Sequence, residues 1–438
     1  MSAARSVQVV LANLTPETLI LASSNLSHGI WSAGMAPPQN IPPFASATWQ
    51  LESNGFLTGA EGSSTYAFEG DSSQVVTLSW NDPYAGGDTF SASAPSDFLV
   101  TTNSADGDNA TVTHTLMINN FPSGWMQANL ESLGSRPLRH LCIPGSHDSG
   151  TSVITSGTAF GTANNTQTQT LDILGQLQCG VRYFDVRPVI SQGQYFTGHY
   201  TGPIDLPVIG PSMQGTNGQS IASIISDVNT YTAEHQELVV LYLSHDFETD
   251  LGNASYPPFS QADWNGLLTQ LLALNHRFVA PNPTTVDLTQ LTLNDFIGSQ
   301  AAVIVVVDPS ASGITLGDFA TQGFYTPANF SVYNQYSDTN VLSVMETDQL
   351  NKLAAQRPNP DAGYFLLSWT LTQNNVQAAL PTSESILSLA ATANRALYGA
   401  LLPACSAQTY PNILYIDAVS SSDIAALAMA VNNKASAG

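Results

Sequence analysis

The chain of 438 residues carries 33 Asp and Glu against 10 Lys and Arg, a formal net charge of −23, and 43% of it is hydrophobic. That length accommodates two or three ordinary domains, and the hydrophobic fraction excludes general disorder. A general nucleic-acid binder and a polybasic membrane anchor both need clustered cations, so the charge balance disfavours both.

The N-terminus has one Arg followed by a short alternating stretch, without the continuous apolar run of a secretory signal. No window reaches the roughly 18 to 20 apolar residues of a spanning helix. The expectation is a soluble protein without a transmembrane segment, cytoplasmic or exported by a non-classical route. Cys142, Cys179 and Cys405 form no CxxC pair and read as buried thiols, not as a metal site or a disulfide staple.

Residues 6 to 135 contain no Lys or Arg, while the first 120 hold ten acidic side chains. Short alternating runs at 6–15, 17–25, 45–53, 64–70, 74–82 and 110–119 predict strands, and a β-sandwich is their natural package. Tyr66, Trp80 and Tyr84 would either dock at an interface or fill the sandwich core. Past residue 121 the rhythm changes. Almost continuously apolar strands are predicted at 140–145, 180–188, 238–245, 301–308, 339–345, 364–372 and 412–419, interleaved with amphipathic helices at 220–235, 262–276 and 423–434. The pattern predicts a parallel sheet covered by helices, either a distorted TIM-like α/β barrel or a doubly wound sheet. The boundary is set near residue 120, giving domains 1–120 and 121–438, with Trp125 and Met126 packing at the junction.

Polar chemistry gathers in three places. Ile143-Pro-Gly-Ser-His147-Asp148-Ser-Gly-Thr151 follows a short apolar strand, where a His at a barrel strand's C-terminal end is positioned for chemistry, though turn formation and capping would use the same residues. In Gly180–Pro188, alternation puts Asp185 and Arg187 on one face, to hold a phosphate or to neutralise each other. Twelve residues beyond Arg187 lies His199, a spacing that can end one barrel strand and return on the next. Two imidazoles around a phosphoryl group can divide general-base and general-acid work.

The motifs IPGSHDSGT, GVRYFDVRP and the His of YFTGHYTGP resemble the catalytic X domain of phosphatidylinositol-specific phospholipase C, in particular its bacterial, metal-independent branch. The resemblance covers residues 121 to 438 and is strongest over 141–200. It implies a distorted TIM barrel that cleaves a glycerol phosphodiester through the neighbouring inositol hydroxyl, releasing diacylglycerol and a cyclic inositol phosphate. By the same resemblance His147 is the general base, Arg187 stabilises phosphoryl charge and His199 is the acid. Asp148 would pair with the acid, Asp185 would brace Arg187, and Asp417 would fix the tautomer of the base. Calcium-dependent relatives present two acids where this chain has Asp185 and Arg187, so no metal and no other cofactor is expected.

Substrate contacts are expected from His245, which stands where bacterial relatives present a Lys, and from Asp338, whose carboxylate can receive sugar hydroxyl protons. Trp369 would line the pocket or pack in the core. Asp308 is a further strand-end acid. His28 and His114 read as structural or exposed, and His235 and His276 as helix-end residues. Glu61–Ser64 and Trp80–Gly87 resemble aegerolysin-like lipid-binding sandwiches, which implies a lipid-binding or accessory role for the first domain. The partners expected are a phospholipid or membrane surface, met transiently, and a small phosphodiester head group. The alternatives are a lipid phosphodiesterase with another head-group preference and a catalytically silent lipid-binding or toxin-like partner.

Overall fold

The computed structural model describes residues 5–118, 122–206, 210–252, 254–374, 377–378, 383–421 and 423–436. The chain divides into two compact units: Met1–Asn120 with Arg395–Ala407 and Met429–Gly438, and Phe121–Asn394 with Gln408–Ala428. Residue 120, taken as the boundary from sequence, lies outside the described residues.

The first unit contains two five-stranded sheets. One orders β3 (Ile30–Trp31), β5 (Ala45–Glu52), β1 (Ser6–Asn13), β10 (Asn109–Ile118) and β9 (Phe98–Ala105). The other orders β4 (Asn40–Ile41), β2 (Leu19–His28), β6 (Ala60–Phe68), β7 (Asp71–Asp82) and β8 (Thr89–Ser93). Alternation along these strands sends Val7, Val9, Leu11, Trp49, Leu51, Val76, Leu78 and Trp80 into one core. Tyr66 and Trp80 are core residues, with Trp49 against both rings at 6.0 and 6.3 Å, whereas Tyr84 is 43% exposed. His114 is fully buried on β10 beside Thr102 Oγ1, and burial lowers its pKa to about 4, so it is neutral near neutral pH.

The second unit is built on an eight-stranded parallel sheet that curls like a TIM barrel and leaves one seam open. From one edge to the other it runs β20 (Phe324–Tyr325), β19 (Ala302–Val307), β17 (Leu238–Leu243), β13 (Tyr183–Val186), β11 (Ile143–Ser146), β23 (Ile413–Ile416), β22 (Tyr364–Ser368) and β21 (Val332–Tyr333). The two edge strands are only two residues long, which limits the backbone they leave unpaired. Trp125 and Met126 belong to this unit. The Trp125 indole donates to Gly180 O, and its ring lies 5.9 Å from the guanidinium of Arg182, which makes a buried ion pair with Glu237.

Two expectations change. The 339–345 run is not a strand: helix Leu342–Gln356 begins inside it, and Met345, Gln349 and Leu353 form its buried i, i+4, i+8 stripe. A short apolar run fits either period, and here the helical one prevails. His199 does not lie on the next barrel strand either. It is on β15 (Gln194–Leu206), in a separate mixed sheet with β12 (Ser156–Gly157), β16 (Gly210–Ser220), β14 (Pro188–Ser191) and β18 (Phe247–Glu248), antiparallel except where β14 meets β18. Pro188 directly after Arg187 cannot donate to a ladder, and the chain leaves the barrel there to form a hairpin.

All three cysteines are free thiols, Cys142 and Cys405 buried and Cys179 half-buried. Among the described residues no helix is long and apolar enough to cross a membrane.

Candidate active site

Four adjacent strand ends deliver the polar residues. Register pairs Ser146 of β11 with Phe184 of β13 and with Ile416 of β23, so His147, Asp185 and Asp417 emerge side by side at the C-terminal end of the sheet. The His147 N–H donates to Ile416 O at 3.0 Å, extending the ladder one step beyond the strand. Asp148 then turns into the left-handed region at φ 40°, its N–H donating to Asp185 Oδ2 at 3.0 Å. Such backbone persists in a non-glycine residue only where neighbours hold it.

Each imidazole has its own carboxylate. His147 Nδ1 lies 2.7 Å from Asp417 Oδ1, and His199 Nδ1 lies 2.6 Å from Asp148 Oδ2, with the ring centres 6.4 Å apart. Arg187 sits between the pairs. Its Nη2 reaches His147 Nε2 at 2.8 Å, its Nε and Nη2 reach Asp185 Oδ2 at 3.1 and 3.0 Å, and its Nη1 is 3.7 Å from Asp148 Oδ2. A guanidinium only donates, so His147 accepts at Nε2 and carries its proton on Nδ1, donated to Asp417. The carboxylates of Asp148 and Asp417 are buried, whereas His147, Arg187 and His199 keep 19%, 18% and 21% of their side-chain surface open, enough to meet a ligand.

The charges are tuned by this packing. Burial alone would lower the pKa of His147, and Arg187 adds to that, but Asp417 and then Asp185 outweigh both and raise it above the ordinary imidazole value. Burial would raise Asp185, yet Arg187, His147 and His245 hold it well below the usual carboxylate range. Burial likewise works against the Arg187 charge, and Asp185 with Asp148 overcomes it, so the guanidinium stays protonated.

His245, following β17, has φ 57°, and its Nδ1 bonds Ser244 Oγ at 2.8 Å. Burial first, then Arg187, lowers its pKa, and it also feels Asp185, Asp148 and His147, so it faces the same cluster. Asp338 is exposed on the segment after β21, also at φ 47°, and among the described residues makes no hydrogen bond to the cluster. Trp369 is 1% exposed and donates its indole N–H to Ala393 O, which leaves no ring face for a ligand: it is a core residue. Asp308 accepts from the Tyr242 hydroxyl at 2.9 Å.

Two contributors escaped the sequence reading. Tyr415 donates its hydroxyl to Asp185 Oδ2 and lies 5.3 Å from the His147 ring. Gln169 donates to His147 O and Ile416 O and accepts from the Val419 N–H, tying the β11 and β23 ends together. Tyr415 had a signal, since it precedes Asp417 by two and therefore shares its face. Gln169 had none, because it lies in a loop with no periodicity.

Over 142 residues the chain is 27% identical to a PI-PLC X-box domain-containing protein of Dictyostelium discoideum, a match of 30% of this chain and 17% of that protein. The chain is similar to phospholipase C X-domain proteins. PI-PLC X domain-containing protein 3 of Bos taurus is 29% identical over 147 residues, 28% of this chain and 41% of that protein. The chain thus spans less than half the length of these X-domain relatives. No family model matches. In fold, a pentafluorophenylalanine-containing phosphatidylinositol-specific phospholipase C of Staphylococcus aureus superposes with a TM-score of 0.50 at 15% identity, over 71% of this chain and 97% of that one. The lipid-binding protein Nakanori matches 26% of this chain and 72% of its own, at 11% identity and a TM-score of 0.25.

Proposed function

We propose that the chain is a phospholipase C-type phosphodiesterase acting on phosphatidylinositol or a related phospholipid by general acid/base catalysis, without a required metal. The observation that carries this reading is the arrangement of two imidazoles, each tied at Nδ1 to its own carboxylate, on either side of Arg187. In the reaction His147 Nε2 takes the proton of a head-group hydroxyl, whose oxygen attacks phosphorus. The bond to the glycerol oxygen breaks, and that oxygen takes a proton from Nε2 of protonated His199. The products are diacylglycerol and a cyclic phosphodiester. Arg187 stabilises the charge on the non-bridging oxygens, with Asp185 bracing it. That guanidinium, bonded to Asp185 and close to Asp148, supplies the positive charge a cation would otherwise bring, which favours a metal-free route.

His245 and Asp338 are the proposed head-group contacts. A neutral imidazole after β17, instead of a fixed cation, also supports a second reading with the same chemistry and a different hydroxylated head group. Phosphorus NMR of products from phosphatidylinositol vesicles, with EDTA present, tests the first. A cyclic inositol phosphate that forms with EDTA and vanishes in His147→Ala and His199→Ala is the expected result. No product from folded protein would reject phosphatidylinositol and send the assay to other head groups.

A further inference from the structure

The parallel ladder between β11 and β23 ends at Ser146 and Ile416, and the two chains then enter different turns. One turn carries His147 and Asp148, the other Asp417. Each also holds a non-glycine residue in the left-handed region, Asp148 at φ 40° and Ala418 at φ 49°. Alanine has no polar side chain to compensate for that conformation, so its surroundings must impose it.

One buried strap spans both turns. It lies between the short helices Ala163–Thr166 and Ile173–Gln178, and its residues Thr168 and Gln169 are 0% exposed. Along the Asp417 turn it pairs residue for residue: Thr168 O accepts from the Ala418 N–H at 2.8 Å, Gln169 Oε1 accepts from the Val419 N–H at 3.2 Å, and Thr170 Oγ1 meets Ser420 Oγ at 2.5 Å. Toward the other turn, Thr168 Oγ1 lies 2.9 Å from Asp148 O and 2.6 Å from Thr151 Oγ1, while Gln169 Nε2 donates to His147 O at 2.9 Å and to Ile416 O at 3.1 Å. Both left-handed residues are thus held by one threonine, Asp148 through its carbonyl and Ala418 through its N–H. Among the described residues no hydrogen bond links Thr168 or Gln169 to an imidazole or a carboxylate of the site. A buried amide and a buried hydroxyl are costly unless bonded, and here their bonds go to the two turns, so position is what they supply. We propose that Thr168 and Gln169 are positioning residues that fix the two imidazole–carboxylate pairs relative to each other and keep both proton transfers in line. This role rests on the proposed reaction, whose reacting atoms the two residues never touch.

The test combines proton NMR of the full chain without substrate and steady-state kinetics on phosphatidylinositol vesicles. Gln169→Met keeps the bulk of the side chain and removes its donor and its acceptor. It should displace the proton signals of both the His147–Asp417 and the His199–Asp148 hydrogen bonds and lower kcat about 10²-fold at nearly constant KM, the scale of a displacement near 1 Å. Thr168→Val removes one hydroxyl while Thr151 Oγ1 still serves Asp148 O, so this variant should fold even where Gln169→Met does not. It should displace the His199–Asp148 signal, and Thr168→Ser should restore that signal together with kcat. Both signals unmoved in folded Gln169→Met, or the His199–Asp148 signal unmoved in Thr168→Val, would overturn the proposal. So would a lower unfolding temperature in either variant with signals and kcat at their wild-type values, which would make the strap a stabilising loop alone. Because the signals are read without substrate, an inactive wild type would count against the proposed reaction, and the spectra would still decide the strap.

Discussion

The guanidinium of Arg187 donates through Nη2 to Nε2 of His147 at 2.8 Å, which puts a permanent cation on the very atom that the proposed reaction needs as a base. The free site is therefore capped. A phosphodiester offers Arg187 anionic oxygens, and each one it engages draws a donor away from His147 and returns the Nε2 lone pair to the attacking hydroxyl. In the proposed reaction, substrate charge and base availability would be coupled through this one side chain.

The acid limb of kcat/KM should reflect the raised pKa of His147, since activity requires its neutral form, and should lie above an ordinary imidazole pKa of about 6.5. Asp417 supplies the main upward pull. Asp417→Asn should move the limb to lower pH and reduce kcat by roughly 10²- to 10⁴-fold as the tautomer is lost. A pH–rate profile of both proteins checks this, and an unmoved limb would remove Asp417 from the role.

Gly150 is a second point of control. A Cβ there would lie 2.1 Å from Thr197 Oγ1, on the strand that carries His199 two residues later. Gly150→Ala should push the hairpin away from Asp148 and cost about 10²-fold in kcat, the scale expected for a displacement near 1 Å. The proton signal of the His199–Asp148 hydrogen bond should disappear with it, while the His147 signal stays.

In the proposed reaction Tyr415 would act through Asp185 and not on substrate. Tyr415→Phe removes the hydroxyl bond to Asp185 and should lower kcat by about tenfold with little change in KM, from the loss of one charge-assisted hydrogen bond. Tyr242→Phe, which loses only its bond to Asp308, serves as the control and should leave kcat near the wild-type value.

The sandwich carries two opposed titrations. Burial, then Asp88, pushes the Asp82 pKa from 3.8 up to about 6, so the folded state binds this proton more tightly, and the stability it contributes at low pH is lost as pH rises through that range. His114 is depressed from 6.5 to about 4, so its contribution is present above the ordinary value and lost as pH falls through about 4. Asp82→Asn should stabilise the chain at pH 7.5 by on the order of 1–3 kcal/mol, with the gain fading below about pH 4. Between those limits the variant should become steeply acid-sensitive, because the His114 slope is no longer offset. Thermal unfolding of the full chain at several pH values measures both.

Strands with a strict two-residue period were readable from sequence, and so were residues at strand ends. His147, Asp185 and Asp417 converge because register alone brings their strands together. The 339–345 run was misread because four apolar residues in seven satisfy either period, and only packing of Met345, Gln349 and Leu353 decides. The route of His199 was hidden by Pro188, which reads as a strand end but gives no account of where the chain goes next. Trp369 resembled a rim residue by position, and its burial depends on the carbonyl of Ala393, twenty-four residues away in sequence. Left-handed backbone at Asp148 and His245 has no signature, since neither residue type demands it.

His147 and Asp148 are consecutive, yet they serve different imidazoles: one is the proposed base, and the other holds the proposed acid. A single peptide unit therefore joins the two proposed half-reactions, and it is pinned at both ends: its Asp148 N–H donates to Asp185 Oδ2 and its His147 carbonyl accepts from Gln169 Nε2. Substitutions that rotate this unit cannot retune one proton transfer alone. If the proposed reaction holds, selection for a different leaving group or a different nucleophile would have to accept correlated changes in both, or move the histidines themselves.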